Sequence, residues 1–501
     1  MSVFKGRDIV SIDQLTTDEL LYFVNKAKEF KARAPGPIAD GNSMAYAFFE
    51  SSTRTRISFL KAAADIGMGR FGFGSAESTS VSKNESVHHT LKMLEGYRAN
   101  ALVIRHKLEG AAQYAADKLD IPVINAGDGR HEHPTQTLID LLSIEETQGR
   151  LSDLKIGLVG DLKYGRTVHS LIKAMRKFPN NTFQLVHPPQ LELPGEYWKG
   201  HDDLIASLDL ERALRSCDVL YMTRIQLERI DDPRERSDVL GHIQLKPEMC
   251  KSAKKNLKVL HPLPIDAAHP EIVKTFDREC PQHAYYFQQA ANGLPVRQVL
   301  LAAVTGSIGN DFRGKPYQQP LFTDTNALVS LPFSAKKREY DSKDYTIKPV
   351  HTGTVIDHIP DQLSWTLAHQ LGLDSKDRFA RGRTAHATGL SSKTLKTKDV
   401  LMIYGYELSE ADSRIVAMVA PGVTINTIRN GEVVAKYKTQ LPDKIQGILE
   451  CVNERCVSND AREDAPSVFY VTQREPTAEL SCHYCDTVHG MAQGNLKTVL
   501  R

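Results

Sequence analysis

Two arginines, two threonines and a serine stand together as Ser52-Thr53-Arg54-Thr55-Arg56, inside the stretch FFESSTRTRISFLKAA. In an ordinary helix start, Ser51 or Ser52 is the N-cap, and Ile57, Leu60 and Ala64 form the buried stripe. Electrostatics argues for more. Cations in a first helical turn face the positive end of the macrodipole, which costs on the order of a few tenths of a kcal/mol each. An anion at that end reverses the sign, because free backbone N–H groups, hydroxyls and guanidinium forks all suit a phosphate. The segment is read as an anion site at a helix start.

The stretch GDGRHEHPTQT (127–137) brings His131, Glu132 and His133 together but fails the H-E-x-x-H spacing that puts two imidazoles on one helix face. Pro134 is instead a first helical residue, which leaves His133 at the helix start and Gln136 one turn on. An imidazole there tends to stay neutral and can donate to a developing oxyanion. GLVGDLKYGR (157–166) is glycine-rich but is neither a dinucleotide fingerprint nor a phosphate-cradling P-loop. Arg166 follows one strand, and Arg224 and Gln226 follow another, at the carboxyl ends where open α/β sheets bind ligands. Two arginines from two loops suit a dicarboxylate through bidentate pairing. STSVSKNES (78–86) is a polar loop carrying Lys83, and in H-P-L-P (261–264) the prolines fix a backbone shape that can turn carbonyls toward a ligand.

Four of the seven cysteines crowd the carboxyl-terminal end as Cys451-x4-Cys456 and Cys482-x2-Cys485, while Cys217, Cys250 and Cys280 are scattered. In a reducing compartment such clustering points to metal before disulfides. Four thiolates in two close pairs close a tetrahedral shell and leave no position for a reactive water, so the expected ion is structural Zn2+, with His483 spare.

The elements that must position these groups are legible as pattern. Candidate strands at 44–50, 101–105, 121–125, 155–160, 183–188, 219–223 and 257–262 alternate with helical patterns that begin near Ile57, Gly110, Pro134 and Thr167. Apolar strands between amphipathic helices predict an α/β fold of two doubly wound parallel-sheet domains with a cleft. The expected domains are 1–134 and 135–290, with a helix in 291–310 returning to the first. Residues 311–345, rich in charge and proline, read as a linker. Short alternating runs (TGTVIDHI, DVLMIYGYEL, RIVAMVA, VTINTIRN, GEVVAKYK) then predict an α+β domain over 346–442, followed by a small zinc-binding β domain over 443–501. A net charge of +2 on 501 residues gives no field for nucleic acid. No apolar run approaches the roughly 18 residues of a membrane helix, and no secretory leader is visible, so a cytoplasmic protein is expected.

Together, S-T-R-T-R at 52–56, V-I-R-H at 103–106, N-A-G-D-G and H-P-T-Q-T within 125–137, Y-M-T-R-I-Q at 221–226 and H-P-L-P resemble the aspartate carbamoyltransferase family. From G-T-V-I-D-H-I-P at 353–360 to the four cysteines, the chain resembles that family's regulatory chain, fused here to the catalytic one. The resemblance implies transfer of the carbamoyl group of carbamoyl phosphate to L-aspartate, in pyrimidine biosynthesis, without a catalytic metal or organic cofactor. It implies that Ser52, Thr53, Arg54 and Thr55 hold the phosphate and that Arg105, His133 and Thr55 polarise the carbamoyl oxygen. Gln136 and the carbonyls around Pro262 and Leu263 would take the carbamoyl NH2, and Arg166, Arg224 and Gln226 the two carboxylates. Lys83 would enter from a neighbouring subunit of a catalytic trimer.

Asp357, His358, Lys398, Asn426 and Lys436 match effector-pocket positions for nucleotides such as CTP and ATP. Met402 stands where relatives have a nucleotide-contacting lysine, Gly431 where they have tyrosine, and Ile265 where they often have arginine. An ornithine carbamoyltransferase usually reads H-C-L-P in the second-substrate loop, and a cationic substrate would not suit Arg224. A catalytically silent scaffold would have lost Arg54, Arg105 or His133, and all three are present.

Overall fold

The computed structural model describes residues 2–491 except 198–200, 207–208, 231, 240–242, 321–326, 334–347, 375–382 and 475–477. Parts of the expected linker (321–326 and 334–345) and of the expected zinc domain (475–477 and 492–501) therefore lie outside the described residues. The chain divides into two compact units, Met1–Gln319 with Arg455–Asp464, and Pro320–Glu454 with Ala465–Arg501.

In the first unit, α1 (Thr17–Ala32) begins with a capping box between Thr16 and Glu19. The chain continues through β1 (Ser43–Phe48), α2 (Thr53–Asp65), β2 (Gly69–Phe73), α3 (Val87–Gly96), β3 (Ala101–His106), α4 (Ala111–Lys118) and β4 (Val123–Asp128). These strands form a parallel sheet in the order β2-β1-β3-β4. Every residue of β4 is buried, as expected of a parallel strand covered on both faces. Next, α5 (Pro134–Gln148) opens on proline and ends at Gly149, whose φ of 71° is the left-handed value a helix stop needs.

A second parallel sheet follows, built from β5 (Lys155–Val159), β6 (Thr182–Val186), β7 (Leu204–Ala206), β8 (Val219–Met222) and β9 (Lys258–Leu260) in the order β7-β6-β5-β8-β9. Its helices are α6 (Arg166–Arg176), α7 (Leu210–Ser216), α8 (Pro233–Val239), α9 (Phe276–Glu279) and α10 (Tyr286–Ala291). The buried α11 (Gly293–Val304) packs against α1 and α2.

One expectation needs correction here. The stripe of α2 is not Ile57, Leu60 and Ala64: Ile57 is 55% exposed, and the buried residues are Thr55, Phe59, Ala62 and Ala63. The cause is distant in sequence, since α11 covers that face with Arg297 over the Phe59 ring and its Nη1 donating to Ser58 Oγ at 2.6 Å. In addition, Cys250 and Cys280 are bonded as a disulfide, joining the turn at 247–252 to the end of α9.

In the second unit, β10 (Leu328–Ser330), β11 (Gly353–Ile359), β12 (Arg383–Ser392), β13 (Lys396–Tyr404), β14 (Thr424–Arg429) and β15 (Glu432–Thr439) form one sheet, ordered β10-β15-β14-β11-β13-β12. The helices α12 (Leu363–Gln370) and α13 (Glu410–Val419) share its core through Ile356, Leu367, Leu401, Val416 and Ile425. RIVAMVA therefore belongs to a helix rather than a strand. A capping box between Ser409 and Asp412 starts that helix, and it buries Ser413, Val416 and Ala417 at helical spacing. The expected linker also contributes structure, because β10 pairs with β15. A last antiparallel sheet runs β16 (Lys444–Gln446), β17 (Val468–Gln473), β18 (Ala478–Cys482) and β19 (Val488–Met491). No helix among the described residues is long and apolar enough to cross a membrane.

Candidate active site

The carboxyl ends of the parallel strands gather the chemistry, as the topology of open α/β sheets requires. After β1 come Glu50 and the Ser52–Thr55 turn; Arg105 is on β3; His133 and Gln136 follow β4; Arg166 follows β5; Arg224, Gln226 and Arg229 follow β8; Pro262 and Leu263 follow β9. Ser52 is the extended N-cap of α2, and its side chain makes no capping hydrogen bond. Thr53 and Arg54 are exposed and Thr55 is buried, and no acidic residue sits in that first turn.

Beside this turn lies a nest of guanidiniums around one carboxylate. Glu50 accepts from Arg166 Nη1 at 3.2 Å and pairs with Arg105 Nη2 at 3.5 Å and Arg229 Nη2 at 4.0 Å. Burial alone would raise the Glu50 pKa, but the fields of Arg166, Arg105 and Arg229 overcome it and hold it below the ordinary value. The cations show the converse. Burial first, then Arg166, pushes Arg105 down to about 9 and Arg229 down to about 10.

Gly127 makes the crowding possible. A Cβ there would come within 2.9 Å of Arg166 Cζ and 3.0 Å of Arg105 Nη1, and its φ of 112° excludes other residues. Backbone carbonyls aim the guanidiniums. Arg105 Nη1 donates to Ala126 O at 3.0 Å, and Arg166 Nη1 and Arg229 Nη1 both donate to Gly129 O at 2.9 Å.

His133 precedes Pro134, and its backbone N–H donates to Ser170 Oγ at 3.1 Å. Burial, then Arg166, Arg105 and Arg297, hold its pKa well below the ordinary value, so the ring is neutral. Its Nδ1 lies 3.3 Å from the Thr135 hydroxyl, and a neutral ring accepting there carries its proton on Nε2. Gln226 is fixed through its Nε2 to Tyr164 O at 2.9 Å and its N–H to Asp161 Oδ2 at 3.1 Å. Leu263 has a left-handed φ of 56°, precedes a cis bond to Pro264, and donates its N–H to His261 Nδ1 at 2.8 Å. Lys83 stands apart, exposed at the end of a short turn with no ion pair among the described residues. The remaining members of the H-E-H run are structural. Glu132 is buried and accepts from Ser11, Ile12, Ser170 and Lys173, and His131 meets Asp128 at 3.0 Å.

Sequence reasoning missed Glu50 and Arg229. Glu50 closes the stretch read as a strand, and only an acid at the carboxyl end of an apolar strand hinted at it; Arg229 lies three residues beyond Gln226 in the same loop.

In the second unit, Lys398 Nζ pairs with Asp357 Oδ1 at 2.7 Å, and His358 Nδ1 lies 3.2 Å from Asp357 Oδ2. Asn426 donates to Val355 O at 3.2 Å and faces Lys436 across the β14–β15 pair, and Met402 is paired with Val355. Gly431 has a φ of 78°, in the β14–β15 turn. Cys451, Cys482 and Cys485 are buried, are not bonded to one another, and bring their sulfurs within 4.8 Å of one another; Cys456, in the 455–464 segment of the first unit, is likewise buried and forms no disulfide. Cys451 Sγ and Cys485 Sγ are 3.6 Å apart. That is close to the edge of about 3.8 Å of a tetrahedron with 2.3 Å metal–sulfur bonds. The set fits a structural metal. His483 is turned to the Tyr470 hydroxyl at 3.3 Å, whereas His489, absent from the sequence reading, puts Nε2 3.6 Å from Cys451 Sγ.

Two family descriptions match the catalytic half: aspartate/ornithine carbamoyltransferase, carbamoyl-P binding domain, over residues 7–146, and its Asp/Orn binding domain over 152–304. The aspartate carbamoyltransferase catalytic subunit of Thermococcus kodakarensis is 44% identical over 315 residues, covering 61% of this chain and 99% of that protein. The chain belongs to the aspartate carbamoyltransferase family. The catalytic subunit of Bacteroides fragilis is likewise 44% identical, over 60% of this chain and 97% of its own. Among solved aspartate transcarbamoylases, the M. jannaschii catalytic subunit superposes with a TM-score of 0.55 at 36% identity, covering 61% of this chain and all of that one. The Trypanosoma cruzi enzyme, in complex with carbamoyl phosphate and aspartate, superposes with a TM-score of 0.57 at 30% identity, covering 60% and 98%. The regulatory-chain descriptions of the same family match too, the allosteric domain over 345–440 and the metal binding domain over 443–493.

Proposed function

We propose that the chain transfers the carbamoyl group of carbamoyl phosphate to the amine of L-aspartate, as its family membership and the names of its relatives suggest. The observation that carries this reading is the set of three guanidiniums held around Glu50 beside the helix start at Ser52. Such a nest suits a substrate with carboxylates and is hostile to a cationic one such as ornithine.

In this reading Ser52, Thr53, Arg54, Thr55 and the first N–H groups of α2 take the phosphate. The Arg105 guanidinium, Thr55 hydroxyl and neutral His133 Nε2–H meet the carbamoyl oxygen, where negative charge grows as the amine attacks. Gln136 Oε1 and the carbonyls of Pro262 and Leu263 accept from the carbamoyl NH2. Arg166, Arg224 and Gln226 hold the two aspartate carboxylates and so aim the amine. No covalent intermediate is needed, because fixing two substrates in line can supply about 7–11 kcal/mol.

Lys83 is assigned to the site of a neighbouring subunit in a catalytic trimer, consistent with its exposure and lack of a described partner in its own chain. The domain limits proposed are 1–134 and 135–290, a linker at 311–345, an effector-type domain at 346–442 and a metal domain at 443–501. The four thiolates are assigned to one structural Zn2+. Asp357, His358, Lys398, Asn426 and Lys436 are assigned to a nucleotide effector, although Met402 and Gly431 leave it fewer contacts than the relatives have.

The deciding assay offers carbamoyl phosphate with aspartate or with ornithine. Carbamoylaspartate is the expected product, and Arg54→Ala should lose turnover far more than aspartate affinity. Carbamoylornithine as the main product, or an Arg54→Ala enzyme at full rate, would overturn the proposal. Titration calorimetry with CTP and ATP tests the effector assignment: no heat and an unchanged aspartate saturation curve would dismiss it.

A further inference from the structure

Asp140 is fully buried on α5, one turn beyond Gln136, and its hydrogen-bond partners among the described residues are all neutral donors. Its Oδ1 accepts from Gln136 Nε2 at 2.8 Å and from Gln289 Nε2 at 2.7 Å, and its Oδ2 accepts from the Tyr221 hydroxyl at 2.8 Å. In its ionised form this carboxylate can only accept, and both glutamine amides turn their nitrogens toward it and their oxygens away. The second amide checks that polarity independently, because Gln289 Oε1 accepts the His261 backbone N–H at 2.8 Å. His261 opens the H-P-L-P turn. The oxygen of Gln136, by contrast, has no protein donor among the described residues.

We infer that Asp140 is a positioning residue: it fixes the amide of Gln136 with its oxygen toward the carbamoyl NH2 and, through Gln289, anchors the H-P-L-P turn that supplies the other acceptors. The inference rests on the assignment of Gln136 under Proposed function. The carboxylate belongs here for polarity rather than for stability. A buried acid without a cation is a cost, visible in the burial that pushes Asp140 up to about 7, and a scaffold alone would be served as well by a neutral residue. An amide free to flip would also present its N–H to the carbamoyl N–H, an orientation that the ionised form of Asp140 disfavours.

The test is Asp140→Asn, isosteric but able to donate to Gln136 Oε1 and so to release the amide. It is run with Gln136→Ala and the double variant, measuring kcat/KM for carbamoyl phosphate and inhibition by inorganic phosphate. Phosphate uses the helix start and not Gln136, so general damage would move both readings and a polarity defect only the first. The expected result is a fall of about 10- to 100-fold in kcat/KM, the cost of an unmatched buried donor. Phosphate inhibition should be unchanged, and Asp140→Asn should add little once Gln136 is alanine. Full activity in Asp140→Asn, additive losses, or phosphate inhibition weakened in parallel would overturn the inference. If Gln136→Ala is damaging while Asp140→Asn is harmless, the Gln136 assignment stands and the inference alone falls; a harmless Gln136→Ala removes both. Gln136→Glu serves if Asp140→Asn does not fold. It keeps the acceptor but sets two carboxylates side by side, so it should be as impaired as Gln136→Ala, and a fully active Gln136→Glu overturns the inference.

Discussion

Changing Glu50 to glutamine removes the carboxylate that three guanidiniums share while leaving its shape. Arg166 Nη1, Arg105 Nη2 and Arg229 Nη2 lie 3.2, 3.5 and 4.0 Å from its oxygens. A single such pair is worth about 4 kcal/mol gross at an effective dielectric constant near 20. The Glu50 side chain is 31% exposed, so water screens part of this and its desolvation offsets more. The net loss is then about 2–3 kcal/mol, in the range of one charge-assisted hydrogen bond.

For a unit of the size of Met1–Gln319, unfolding entropy is about 0.7 kcal/mol/K, so the melting temperature should fall by about 3–5 °C. The sign with pH follows from the direction of the Glu50 shift. Its folded pKa lies below the ordinary 4.5, so its stabilisation is full above that value and fades as pH falls through the folded value. Calorimetry of the free enzymes at pH 7 and again near pH 3.5 should therefore show the wild-type advantage shrinking in acid. Saturation with a bisubstrate phosphonate should shrink it as well, because ligand carboxylates replace Glu50 at the guanidiniums. Equal melting temperatures at neutral pH, or a deficit unaltered by the bisubstrate ligand, would refute the reasoning.

Asp140→Asn should have the opposite pH signature. The Asp140 carboxyl is raised to about 7 from 3.8, so wild-type stability declines between those values as pH rises, and differential scanning should show that slope lost in the variant. Glu463 Oε1 and Oε2 accept the N–H groups of Val87 at 2.6 Å and His88 at 3.2 Å, at the start of α3. Glu463→Gln should cost about 1 kcal/mol of local stability, read as faster hydrogen exchange at 87–89. Chelation or a mercurial should expose four reactive thiols per chain and abolish exchange protection over the β16–β19 sheet; protection that persists with the metal removed would deny it a structural role.

How far the site could be read from residue types depends on whether its logic is local. The helix start at Ser52 was legible because two arginines against a macrodipole are a contradiction within five residues, and only an anion resolves it. The four cysteines were legible for the same reason, two short spacings and one chemistry. The buried face of α2 was not, because α11, more than two hundred residues later, chooses which side of α2 is covered. Alternation misled over RIVAMVA, where the capping box just upstream carried the better signal. Glu50, Arg229 and Asp140 form the harder class. None has a motif of its own, and each acquires meaning only from partners on other elements: Glu50 from arginines on β3 and after β5 and β8, Asp140 from Gln289 on α10 and Tyr221 on β8.

That division has a physical basis. Groups that touch a small anion must concentrate charge or hydroxyls over a short stretch, and a helix terminus offers the necessary geometry in one segment. Groups that hold those charges in place until the anion arrives are single residues, each opposed by partners that only the folded sheet brings near. Glu50 does this by neutralising guanidiniums, and Asp140 by fixing the sense of amides. Glu50, just past β1, is partly open to water and balanced by cations, whereas Asp140, on α5, is fully buried and balanced by neutral donors. The Glu50 and Asp140 pKa shifts accordingly run in opposite directions. A titration that found the two carboxyls shifted the same way would show that this distinction between a charge clamp and a polarity clamp is misplaced.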